Sequence, residues 1–269
     1  MSHQNKMLTK TTGTSLSAVV IANDLSVGYL GETVVANINF HLEVGKTLAL
    51  VGANGSGKTT LLKSVAGLIP PTAGTIEVFN AKPLKNPARV AYLGQFHPSS
   101  FMLPLRVQDV VSMSRFAAHG LFGRMTLRDK QATNNAMRVM GISDLAEAPL
   151  SAISGGQRQR VFLAQAFARD ADLILLDEPA ANLDTGACEL YRSYIRKLAS
   201  NGKSVIVTTH DIGEAAECDL TMLLAHSVVA YGKSPDVLTQ KSLLATFGIV
   251  GNYQDGKIVI VGPEHGHDH

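Results

Sequence analysis

The sequence predicts an α/β fold in which a parallel sheet is covered on both faces. Short apolar runs alternate with helical stretches, and one such run passes through a glycine-rich loop into a helix. The composition supplies enough apolar material for such a sheet. Of 269 residues 45% are hydrophobic and 17% charged, a globular balance at the upper length of one domain.

In chain order, residues 1–17 are polar and rich in Thr and Ser, which predicts a loose tail. Residues 19–22 and 34–42 read as strands around a turn at 28–31. Thr47-Leu48-Ala49-Leu50-Val51 is short, apolar and closed by glycines, as a buried parallel strand is. Residues 59–66 look helical and stop near Gly67, with Pro70-Pro71 beyond. Residues 107–169 hold several helical segments and little strand signal, punctuated by Gly120, Gly123 and Gly141. From residue 172 the alternation returns: Leu173-Ile174-Leu175-Leu176 as a strand, 186–198 as a helix, and Ser204-Val205-Ile206-Val207-Thr208 as a strand. Residues 252–261 suggest a strand pair ahead of a histidine-bearing tail. There is no internal repeat and no long linker.

Charge and cysteine content exclude several function classes. Lys+Arg is 24 against Asp+Glu at 22, a net charge of +2, which offers no electrostatic case for a nucleic-acid partner. Cys188 and Cys218 form no C-x-x-C pair, so neither a disulfide framework nor a zinc finger is expected, and both read as small apolar fillers. Residues 1–10 lack the apolar stretch of a signal peptide, and runs such as 47–53 and 222–225 fall short of the roughly 18 residues that span a bilayer. The expectation is a soluble chain in a reducing cytosol that reaches any membrane through a partner.

Two segments carry phosphate chemistry. Gly52-Ala53-Asn54-Gly55-Ser56-Gly57-Lys58-Thr59 fits G-x-x-x-x-G-K-[ST], with Thr60 following. Glycines let successive N–H groups turn toward phosphate oxygens, the following helix aims its positive end at the same anion, Lys58 adds a cation, and the Thr59 hydroxyl suits Mg²⁺. Downstream, Leu173-Ile174-Leu175-Leu176-Asp177-Glu178 is an apolar strand ending in two carboxylates. The C-terminal ends of parallel strands border the ligand crevice, and neighbours on a strand face opposite ways. That separates a Mg²⁺-supporting Asp177 from Glu178 as general base toward the attacking water.

Ile153-Ser154-Gly155-Gly156-Gln157, continued by Arg158-Gln159-Arg160, resembles the signature of the ABC transporter ATPases, with isoleucine in place of leucine. Other family positions fall in order from about residue 19 to 248. The resemblance implies that Tyr29 stacks on adenine, Gln95 senses Mg²⁺ and the permease, Asp184 lies in the loop after the catalytic carboxylate, and His210 is the switch histidine. Gly94 stands where many members have proline, and Ala180-Ala181 where Thr or Ser is common. The implied fold is a P-loop NTPase of the ABC type: a RecA-like parallel-sheet core, an antiparallel β subdomain and a helical subdomain at about 97–168, within a nucleotide-binding domain at 18–248 and ahead of an extension at 249–269. Glu178, His210 and Gln95 would be catalytic, residues 52–60 and Tyr29 would bind ATP, and Mg²⁺ would sit on Thr59, Gln95 and Asp177. The signature acting in trans would be Ser154, Gly155, Gly156 and Gln157: Ser154-Gly155-Gly156 precedes a helix over 157–169 whose free N–H groups would meet the γ-phosphate bound by a second copy of the chain, so that ATP joins a dimer.

The implied partners are that second copy, integral membrane permease subunits and, indirectly, an extracytoplasmic solute-binding protein. The chain would sit on the cytoplasmic face of the membrane, peripherally. One compact unit without a membrane span, coiled coil or second cassette points to an importer rather than to an exporter half or a non-transport ATPase, such as one for iron–sulfur assembly. Residues 103–115 and Thr246-Phe247-Gly248 resemble the metal-ion uptake group, which handles zinc, manganese or metal chelates, while siderophore, haem and cobalamin importers share parts of the pattern. Phe101, Met102, Leu103 and Leu105 read as a permease-docking run, with burial in the local core as the alternative. His265, His267 and His269 read either as a solvated C-terminus or as a weak Zn²⁺ sensor.

Overall fold

A computed structural model describes residues 18–95, 105–116, 124–247, 250–254 and 257–261. The N-terminal tail, Phe101, Met102, Leu103, Gly120, Gly123, Gly248, His265, His267 and His269 lie outside the described residues.

The chain begins with two long strands, β1 (Ala18–Tyr29) and β2 (Glu32–Glu43), then β3 (Thr47–Val51), α1 (Lys58–Val65), β4 (Pro71–Val78) and β5 (Val90–Leu93). Helices α2 (Val107–Phe116), α3 (Leu127–Val139) and α4 (Gly155–Ala168) follow, then β6 (Leu173–Asp177), α5 (Thr185–Ser200), β7 (Ser204–Thr209) and α6 (Ile212–Ala216). The last elements are β8 (Leu220–Leu224), β9 (Val228–Lys233), α7 (Ser234–Val237), α8 (Gln240–Phe247) and the hairpin β10 (Val250–Gln254) and β11 (Lys257–Val261). Six strands form the central sheet in the order β5-β6-β7-β3-β8-β9, parallel except for β9. A separate antiparallel sheet has the order β2-β1-β4.

The period-two alternation of strand side chains divides the interior into two cores. Leu48 and Leu50 of β3, Leu173 and Leu175 of β6 and Ile206 of β7 face Leu61, Leu62 and Val65 of α1 and the inner residues of the antiparallel sheet. Ala49, Val51, Ile174, Leu176, Val205 and Val207 face the opposite way, onto Val161, Leu163 and Phe167 of α4 and Tyr191 and Ile195 of α5. Covered on both faces, β3 and β6 read as unbroken apolar runs. A buried ion pair, Arg115 to Asp129 at 2.8 Å, locks α2 to α3, and Arg115 also donates to the Ala168 and Arg169 carbonyls at the end of α4.

The expected α/β class and parallel core hold. Strands β4, β5, β8 and β9 were not separately legible, because they depend on long-range pairing. Leu105 takes the alternative left open for it. It is partly buried against the core cluster of α2 and α4, and its carbonyl accepts the Leu150 N–H at 2.8 Å, so it is not part of an exposed docking run.

Candidate functional site

Where β3 ends, space dictates the loop. A Cβ on Gly52 would lie 2.3 Å from the Leu224 carbonyl oxygen. Gly57 has φ 100°, and its Cβ would meet Val35 Cγ2 at 2.0 Å. Neither position admits an L side chain, so the turn into α1 is made by bare backbone.

Lys58 opens α1 and is buried. Its Nζ donates to the carbonyls of Gly52 at 2.8 Å and Ala53 at 3.0 Å. Burial lowers its pKa from the usual lysine value, against the opposing pull of Glu178 and Asp177. A cation held this way at a helix N-terminus is an anion site by construction.

Asp177 ends β6 opposite Thr208 of β7, and alternation turns both toward α1. The Asp177 Oδ1 accepts two hydroxyls, Thr59 Oγ1 at 3.0 Å and Thr208 Oγ1 at 2.6 Å. Its Oδ2 is buried with no hydrogen-bond partner. With the Thr59 hydroxyl beside it, this is an all-oxygen donor set that fits a hard cation such as Mg²⁺. Glu178 follows at φ 48°, the left-handed region that a side chain adopts only under constraint. Its N–H is shared between Thr208 Oγ1 at 2.9 Å and the Thr208 carbonyl at 3.2 Å.

A cleft of about 560 Å³ brings together Asn54, Gly55, Gly57, Lys58, Thr59, Thr60, Gln95 and Glu178. Glu178 also lines a neighbouring cavity of about 290 Å³ with His210, which stands exposed just past β7. Other predicted residues lie outside both. Tyr29 is 44% exposed at the end of β1, with Lys63 Nζ 6.0 Å from its ring centre. Ser154 and Gln157 form a reciprocal capping box at the start of α4, with Ser154 and Gly155 exposed. Asp184 caps α5 by accepting the Ala187 N–H at 2.8 Å.

Two further residues of the site had no role in the motif reading. Thr208 was the last residue of an apolar strand, and only its hydroxyl among Val205, Ile206 and Val207 hinted at a special place. Gln159, buried within the signature helix, donates Nε2 to the Pro179 carbonyl at 3.0 Å, keeps a buried Oε1 without a hydrogen-bond partner, and is among the residues that line the cleft. The arrangement can hold a polyphosphate between amides, an ammonium and a hydroxyl, with one buried carboxylate for a cation and a second carboxylate beside it.

The sequence pattern of the ABC transporter family matches residues 35–181. The chelated iron transport system membrane protein YfeB of Yersinia pestis is 34% identical over 234 residues, 85% of this chain and 79% of that protein. The manganese transport system ATP-binding protein MntB of Bacillus subtilis (strain 168) is 32% identical over 84% of this chain and 91% of its own length. For the zinc transport system ATP-binding protein TroB of Treponema pallidum (strain Nichols) the values are 33%, 85% and 86%. Among solved structures, an inward-facing transporter of the metal-chelate ABC type superimposes with a TM-score of 0.75 at 29% identity, covering 91% of this chain and 96% of that one.

Proposed function

The chain belongs to the ABC transporter family and is one of its nucleotide-binding ATPases, and we propose that it powers a membrane importer of a metal ion, zinc or manganese, or of a metal chelate. One observation carries the cargo: manganese, zinc and chelated-iron systems name relatives that align with more than four-fifths of the chain. The metal-chelate transporter structure supports the chelate as the second reading.

In this reading the nucleotide-binding unit spans 18–248, with its helical part at about 97–168 and the extension at 249–269 outside it. The loop 52–60 wraps the phosphates, and Lys58 exchanges its carbonyl partners for phosphate oxygens. Thr59, Asp177 and Gln95 would hold Mg²⁺, which when bound neutralises charge on the phosphates. Glu178 accepts the proton of the attacking water, at the wall its side chain shares with the His210 cavity. His210 orients that reaction, and Tyr29 offers its exposed ring to adenine.

Ser154, Gly155, Gly156 and Gln157 do not line the cleft of their own chain, though Gly156 packs beside Asn182, which does, and the exposure of Ser154 and Gly155 supports their use in trans. A second copy would bring this helix start to the γ-phosphate, with Asp184 in the adjoining loop. Among the described residues no helix is long and apolar enough to cross a membrane. In the importer reading the chain would act at the cytoplasmic face, bound to permease subunits that an extracytoplasmic solute-binding protein supplies.

Deleting the gene tests the cargo. The deletion strain should stop growing under chelation and recover with added zinc or manganese. Recovery only with a ferric siderophore would transfer the assignment to the chelate reading, and unimpaired growth under every metal limitation would end both.

A further inference from the structure

We propose that Thr208 is a positioning residue of the nucleotide site: its hydroxyl occupies Asp177 Oδ1, which reserves Oδ2 for Mg²⁺, and the same oxygen anchors the Glu178 amide. The inference rests on the reading of Asp177 as a Mg²⁺ ligand.

Nothing in the sheet itself asks for a hydroxyl here. Thr208 is fully buried, preceded in its strand by Val205, Ile206 and Val207 and followed by Thr209. Valine would match its shape and its preference for a pleated strand. A buried hydroxyl is unfavourable unless its hydrogen bonds are made, and this one makes two. Its single hydrogen goes to Asp177 Oδ1 at 2.6 Å, and its oxygen receives the Glu178 N–H at 2.9 Å. One atom thus touches both carboxylate residues that the reaction needs.

The torsion that spins a carboxylate is broad and two-fold, so one hydrogen bond leaves Oδ1 and Oδ2 free to exchange. Thr59 alone supplies one hydroxyl, at 3.0 Å. The second, from Thr208, saturates Oδ1 from the neighbouring strand and leaves Oδ2 as the buried oxygen without a protein partner. The paired register of Asp177 with Thr208 makes this contact a property of the sheet rather than of a loop. Glu178 gains separately, since the tether holds its N–H while its backbone sits at φ 48°.

The test measures how Mg²⁺ tightens the binding of a fluorescent ATP analogue to the full-length chain, with EDTA as the metal-free reference. In Thr208→Val the Mg²⁺ concentration for half the effect should rise about tenfold, while affinity in EDTA stays within about twofold. Thr208→Ser, which keeps the hydroxyl, should remain within about twofold of the parent. If the valine chain does not fold, as judged by its thermal transition, Thr208→Ala replaces it. An unchanged Mg²⁺ dependence in the folded valine or alanine chain overturns the proposal. A serine chain shifted as far as valine also overturns it, because the methyl group rather than the hydroxyl would then matter. Asp177→Asn separates the two levels. If it leaves Mg²⁺ dependence intact, the metal-site reading itself fails; if it removes the dependence while valine does not, only Thr208 loses its role.

Discussion

Asp172 immediately precedes β6 and Asp177 ends it, so one five-residue strand carries an aspartate at each edge of the sheet. Asp172 is ion-paired to Arg89 at 2.7 Å and to Lys203 at 3.2 Å. Burial pushes its pKa up, but these partners outweigh it and hold the carboxyl below the usual range. At the same edge Asp219 accepts the N–H and hydroxyl of Thr47 at 2.9 Å and pairs with Lys46 at 3.0 Å, with the same net result. The opposite edge is built differently. Asp177 is buried yet receives only hydroxyls, all on one oxygen, while Lys58 is occupied by carbonyls. The same residue types are neutralised locally where strands begin and left incomplete where they end. Ligands bind at the second edge of parallel sheets, and under the proposed function a bound nucleotide with its cation would supply the missing partners.

The largest effect expected from this contrast falls on Glu178. Glu178→Gln keeps the shape and removes the basic oxygen, so turnover in the assembled transporter should fall by about 10²–10⁴-fold while ATP still binds. Near-normal hydrolysis by that variant would remove Glu178 from the mechanism.

Two glycines give a middle-sized comparison. Gly57 and Gly202 both have positive φ, 100° and 77°, but only Gly57 is crowded, since a Cβ on Gly202 would meet nothing within 4 Å. Alanine should cost about 1–2 kcal/mol at either from backbone strain alone. At Gly57 the overlap with Val35 adds to that cost, and nucleotide binding should be lost. Gly202→Ala should bind ATP normally, which equilibrium binding beside thermal melting would check.

The smallest effect belongs to the first edge. The pKa of Asp172 is lower in the folded chain than in the unfolded one, so its contribution is present above about pH 4 and disappears as pH falls through the folded value. Because the pair is 48% and 42% exposed at Arg89 and Asp172, Asp172→Asn should cost only about 0–1 kcal/mol at neutral pH. The difference from the parent should close on acidification, and urea unfolding at pH 7 and pH 3 would show whether it does.

The residues that declared themselves in the sequence are those whose chemistry is local. The loop 52–59, the signature 153–157 and the strand 173–178 each combine backbone and side-chain demands within a few consecutive positions, so the string carries the reason for itself. Thr208 was not legible, because its role comes from the register of β7 against β6, set by pairing across 31 residues of sequence. Gln159 was hidden for a similar reason, since its partner is the Pro179 carbonyl 20 residues away. Leu105 shows the converse ambiguity. Apolar character alone does not distinguish a surface that docks a partner from one that packs on its own helices, and Leu105 packs on them. The strand order β5-β6-β7-β3-β8-β9 likewise follows from crossover connections that no local pattern records.

The most direct test of the division between the two edges is Mg²⁺-dependent ATP hydrolysis by Asp177→Asn and Asp172→Asn, assayed side by side. Asparagine at 177 removes the charge that a cation needs and should lower hydrolysis by at least about a hundredfold, without destabilising the fold by more than about 1 kcal/mol. Asparagine at 172 should leave hydrolysis within about twofold of the parent. Equal losses at both positions, or a greater loss at 172, would contradict the account.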